Sequence, residues 1–64
     1  MKKKEIKNIA EKIMALELDI ELGKNVKSAE QKIVDIMSTL SVFDAFDVDE
    51  YIQLNWDEYK YKNI

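Results

Sequence analysis

The sequence predicts an all-α fold: an antiparallel helical hairpin with a third, shorter helix, forming one small domain over residues 1–64. Three observations predict it. Two stretches, 6–20 and 29–43, carry apolar residues at alternating three- and four-residue steps, the spacing of a seam that packs on another helix. The only glycine, Gly23, falls between them, where a helix would be stopped and the chain turned. A further helix-start signal, Asp47-Val48-Asp49-Glu50, precedes a third group of apolar and aromatic residues.

The first helix is expected over about 3–22. Ile6, Ile9, Ile13, Leu16 and Ile20 form its seam, and Ala10, Met14, Leu18 and Leu22 form a second apolar row beside it. At about 100° per residue the two rows together cover more than half of the helix circumference. A helix in a simple pair needs a narrower stripe, so this one requires two neighbours, from its own chain or from a second copy. The exposed seam of a lone hairpin would leave a large apolar patch, and a homodimer through Ala10, Met14, Leu18 and Leu22 is the expectation. Glu17 and Glu21 lie within the broad face. They sit at its rim with their heads in water, or they pair with a lysine across an interface.

Gly23 suits a left-handed helix cap. Ser28-Ala29-Glu30-Gln31 has the form of a capping box, which starts the second helix near residue 29. The short connection makes that helix antiparallel to the first. Ala29, Ile33, Ile36, Leu40 and Phe43 give it a seam to about residue 43, widened by Val34 and Met37. Ser38-Thr39-Leu40-Ser41 has weak helix propensity, and Ser41 with Asp44 can start a fresh turn. The third helix is expected over about 48–59, with Asp47 as N-cap, Glu50 closing the box, and Phe46 and Tyr51 as a hydrophobic staple. Its three first-turn acids suit the positive end of the helix dipole. Residues 56–64 read either way: Glu58 and Lys62 favour continued helix, whereas alternating Leu54, Trp56, Tyr59 and Tyr61 permit an extended tail.

Composition narrows the chemistry. The chain has no cysteine and no histidine, so it lacks a thiolate, a disulfide and the commonest general base and metal ligand. All ten basic residues are lysine, so the bidentate guanidinium that most often reads guanine or clamps phosphate is missing. Charge is divided along the chain. Residues 1–27 hold seven lysines and five acids, residues 28–64 hold three lysines and eight acids, and no basic residue lies between Ile33 and Tyr59. The basic start Met1-Lys2-Lys3-Lys4 is followed by charged residues rather than an apolar segment, so a signal peptide is not expected, nor is a membrane span. The expected location is the cytoplasm of a bacterial or host cell.

Asp44, Asp47, Asp49 and Glu50 invite comparison with a calcium loop. They lack its alternating acids and its following glycine, and helix capping accounts for Asp47 and Glu50. No metal, cofactor or catalytic residue is expected. Lys2, Lys3, Lys4 and Lys7 could touch phosphate, but on a net-acidic chain without arginine they are a weak nucleic-acid signal. The heptad hairpin resembles, in architecture alone, small dimeric helical-hairpin proteins such as the Rop RNA-binding protein. No motif is shared and no residue role carries over.

The C-terminal half offers more. Tyr61 belongs to its aromatic tail, in which Tyr51, Trp56 and Tyr59 stand among Asp44, Asp47, Asp49, Glu50, Asp57 and Glu58. Tryptophan and tyrosine are frequent interface anchors, and these last nine residues are the expected binding surface for a larger protein with a basic site. The same aromatics could instead close the hairpin core. In size and composition the chain resembles the small acidic inhibitors and accessory proteins of phages and other mobile elements. The leading expectation is therefore a non-catalytic protein-binding module. The alternatives are an assembly subunit of a larger complex, and a dimeric nucleic-acid regulator that uses the N-terminal lysines.

Overall fold

A computed structural model describes all 64 residues and contains three helices and no strand: α1 (Lys3–Glu21), α2 (Val26–Ser38) and α3 (Val42–Asn63). The all-α class holds, and α1 occupies its expected span to within a residue. Its C-terminus is closed by the glycine. Gly23 has φ +75°, its N–H bonds the Ile20 carbonyl at 3.0 Å, and the Lys24 N–H bonds that of Asp19 at 2.8 Å. These two bonds make a Schellman cap, which satisfies carbonyls that the helix end would otherwise leave free.

The second helix differs from expectation at both ends. It begins at Val26 rather than near 29, with Asn25 as N-cap in the left-handed region (φ 47°) and making no side-chain capping bond. Asparagine tolerates that conformation better than most side chains, so the chain reverses between Leu22 and Asn25 and needs no further loop. The Ser28–Gln31 box does not form. Ser28 lies inside the first turn, and Gln31 Nε2 instead donates to Asp35 Oδ1 at 2.9 Å. The helix stops at Ser38 rather than 43. Ser38 and Thr39 hydroxyls donate to the carbonyls of Asp35 and Ile36, and the Thr39 and Leu40 N–H groups bond three residues back. That tightening is the usual fate of a helix end rich in hydroxyl side chains.

The third helix is the longest of the three, at 22 residues, not a short cap on the hairpin. It starts at Ser41, whose Oγ accepts the Asp44 N–H at 3.2 Å. Asp47 is consequently within the helix rather than its N-cap, and Phe46 is exposed rather than stapled to Tyr51. Residues 56–63 are helical. Lys62 Nζ donates to Glu58 at 2.8 Å, and Asn63 Nδ2 donates to the Tyr59 carbonyl at 2.8 Å. Ser41→Ala should cost about 1 kcal/mol of stability, read as a lowered urea midpoint with an unchanged slope. No change in midpoint would mean that the Ser41 cap carries no energy.

Helix α3 runs parallel to α1. The Met1 amine lies 3.6 Å from Asp44 at one end, and Glu21 pairs with Lys60 at the other. Helix α1 packs against both partners, whereas α2 and α3 barely touch each other. The result is a slab of 31 × 24 × 14 Å with α1 in its middle. Ala10, Ile13, Met14 and Val48 form the buried centre, and Leu18 and Ala29 are buried beside it. Ile6, Ile9, Ile33, Ile36 and Leu40 pack around that centre while keeping some exposure. The two neighbours that α1's broad face requires therefore both come from its own chain.

Candidate functional site

Helix α3 has two unlike faces, and both carry apolar side chains. At about 100° per residue, Val48, Tyr51, Ile52 and Tyr59 fall on one side. Val48 is fully buried, and Tyr51, Ile52, Trp56 and Tyr59 pack against the core and are partly buried. The Trp56 and Tyr59 rings lie nearly parallel, with centroids 6.4 Å apart. The three aromatics expected as interface anchors thus line the contact with α1.

The opposite side faces water. Phe43, Leu54 and Tyr61 are 82%, 77% and 88% exposed, and Phe46 and Val42 are exposed near the start of the helix. Asp47, Glu50 and Asp57 are exposed among them. Scattered exposed apolar residues are ordinary, but several large ones on one helix face mark a surface suited to contact. Sequence reasoning grouped Tyr61 with the aromatic tail but did not place Phe43 and Leu54 on this face, because it put Phe43 in the second helix and left residues 56–64 undecided. The signal that would have found them was the Ser41–Asp44 start. Once the helix begins there, Phe43, Leu54 and Tyr61 fall on the side away from Val48.

The remaining acids of the expected surface have local partners or lie off this face. Asp44 is partly buried beside the Met1 amine. Asp49 accepts from Gln53 Nε2 at 3.0 Å. Glu58 pairs with Lys62, and the hydrogen bond and charge of Lys62 hold the Glu58 carboxyl below its ordinary value of 4.5. The same contacts raise Lys62 above 10.5. The depressed acid favours the folded helix above pH 4.5, an effect lost as pH falls through its folded value; the raised amine favours it below 10.5, an effect lost as pH rises through its own. Both side chains are exposed, so the pair adds only modestly to the end of α3 and builds no reactive site.

Ala10, Met14 and Leu18 of the expected self-association row are buried within the chain, and only Leu22 is left half exposed. Glu21 reaches Lys60 of α3, so the expected lysine partner belongs to the same chain. Lys2, Lys3, Lys4 and Lys7 are exposed at the start of α1. Asp44 and Asp47 stand at the same end of the molecule, which weakens any pull on phosphate. No set of three or more acidic side chains is gathered to share a cation. An open polar groove between α1 and α3 is lined by Lys7, Glu11, Asn55, Glu58, Lys62 and Asn63. Its Glu58 and Lys62 pair with each other, and Asn55 and Asn63 donate to carbonyls of their own helix. No helix is long and apolar enough to cross a membrane.

Comparison with protein-family models, curated proteins and solved structures finds no significant match.

Proposed function

We propose that the chain is a non-catalytic protein-binding module of the inhibitor or accessory kind, which docks a basic site on a larger protein through the outer face of α3. One observation carries this reading: Phe43, Leu54 and Tyr61 are largely exposed on a face of α3 whose own charged members are Asp47, Glu50 and Asp57, with Lys3 of α1 at its edge. Burying the apolar side chains would supply affinity, at about 25 cal/mol per Å² before the costs of association. The carboxylates would speed encounter with a basic surface and exclude acidic ones. Six acids and no basic residue lie between Val42 and Tyr59, so the acidic field of this segment is not diluted from within.

A photo-crosslinking residue placed in turn at Leu54, Tyr61, Asn8 and Ser28, in the native cell, tests the reading. The expected result is one discrete adduct with a larger protein from Leu54 and Tyr61, absent from Asn8 and Ser28, and, when irradiation is instead carried out in lysate, a yield that falls as salt is raised beforehand. Equal labelling from all four positions, or none from α3, would count against docking through this face.

A further inference from the structure

The outer face of α3 has an internal order. Phe43, Asp47, Glu50, Leu54, Asp57 and Tyr61 follow one another at steps of four, three, four, three and four, and all six are exposed. They lie along one line about 27 Å long. That spacing is a heptad seam, the pattern by which one helix receives the side chains of another. Its positions are divided equally between apolar side chains and carboxylates. None of Asp47, Glu50 and Asp57 has an ion-pair partner within the chain. The two lysines of α3 do not offset them, since Lys60 is held by Glu21 and Lys62 by Glu58. Lys3 of α1 borders the groove beside Asp47, Glu50 and Leu54 but forms no ion pair with them, and three carboxylates against one amine leave the face net acidic.

From this pattern, and resting on the docking reading above, we infer that the outer face of α3 pairs with an amphipathic helix of the partner. That helix carries lysine or arginine opposite Asp47, Glu50 and Asp57, and apolar side chains opposite Phe43, Leu54 and Tyr61. A second copy of this chain is a poor occupant. In a parallel pair each carboxylate would meet its own counterpart. In an antiparallel pair Asp47 would meet Asp57, and Glu50 would be pressed against Leu54. Either arrangement desolvates carboxylates with no opposite charge. Nucleic acid and an anionic membrane surface are repelled by the same three groups. A basic helix satisfies them, and the methylene stems of its lysines would also cover Phe43 and Leu54. The seam thus selects an unlike helix by penalising its own kind, as polar and charged positions do in coiled coils.

The test uses the full chain and two synthetic helical peptides about three heptads long. Both have leucine at the apolar seam positions. One has lysine and the other glutamate at the remaining seam positions. By fluorescence anisotropy at low salt, the lysine peptide should bind at least about tenfold more tightly than the glutamate peptide. Leu54→Asp should weaken the lysine peptide by about tenfold or more. The triple variant Asp47→Lys, Glu50→Lys, Asp57→Lys should reverse the preference between the peptides. All these positions are exposed, and circular dichroism checks that helicity persists; should the triple variant unfold, the peptide preference and Leu54→Asp decide the matter. Equal affinity for the two peptides overturns the inference. So does a wild-type dimer in light scattering that Leu54→Asp dissociates. If crosslinks from Leu54 persist while the peptides show no charge preference, docking stands and the basic helix is wrong. If the crosslinks also fail, both fall together.

Discussion

Val48→Asp is expected to abolish cooperative folding. Val48 is fully buried, in the one cluster where α3 meets Ala10, Ile13 and Met14 of α1. A chain of this length has a total stability of roughly 3–10 kcal/mol, at about 0.05–0.15 kcal/mol per residue. An unpaired carboxylate buried there costs several kcal/mol, and no basic side chain belongs to the cluster to receive it. The charge therefore takes most or all of the available stability. Val48→Ala separates charge from volume. It removes two methyl groups' worth of burial and leaves a small cavity, for a loss of about 2 kcal/mol. Circular dichroism at 222 nm with thermal melting reads both variants. The aspartate chain should lack a cooperative transition, and the alanine chain should melt cooperatively at a lower temperature. An aspartate variant that melts like the wild type would show that α3 does not pack on α1 through Val48.

The second large effect is expected from truncation after Leu40. The remaining fragment has the whole α1–α2 hairpin and loses all of α3. Val48, Tyr51, Ile52, Trp56 and Tyr59 leave the core together, and Ala10, Met14 and Leu18 lose cover. A fragment of about 40 residues without disulfide or metal is at the lower limit of what folds alone. Most of its helicity should disappear in dilute solution. Any helicity that returns at high concentration should come with self-association, because the truncation uncovers the apolar row of α1. A separate peptide of residues 41–64 should restore helicity when added. A monomeric fragment with a cooperative melt of its own would make α3 an appendage rather than part of the core.

That second experiment also marks the boundary between what is legible in the chain and what is not. The alternating steps of Ile6, Ile9, Ile13, Leu16 and Ile20 are enough to place α1, because a broad apolar stripe at helical period has one low-energy interpretation. Gly23 is enough to end it, since a left-handed cap without a Cβ penalty is a local property. The need of α1 for two neighbours is also legible from the width of its face. Which chain supplies them is not, because a self-interface and an intramolecular one bury the same side chains. Likewise, Ser41–Asp44 and Asp47–Glu50 are both sound helix starts, and capping differs between them by no more than about 1 kcal/mol.

The sequence alone determined an all-helical chain, the extent of α1, its glycine stop, and an acidic C-terminal half. The tertiary structure decided where α3 begins and which of its faces is buried. Beginning at Ser41 lets α3 run beside α1 from the Met1 amine and Asp44 to Glu21 and Lys60. With that start Val48 is enclosed and Phe43 is left in water. Apolar residues lie on both sides of α3, so periodicity within the helix could not choose between them. The choice rests on contacts with α1, whose Ala10, Ile13 and Met14 lie 34 or more positions before Val48, and there Trp56 and Tyr59 line the core while Leu54 and Tyr61 do not. Packing free energy gathered along a whole helix pair outweighs a single capping bond, and so the candidate site lies on the face that packing left over.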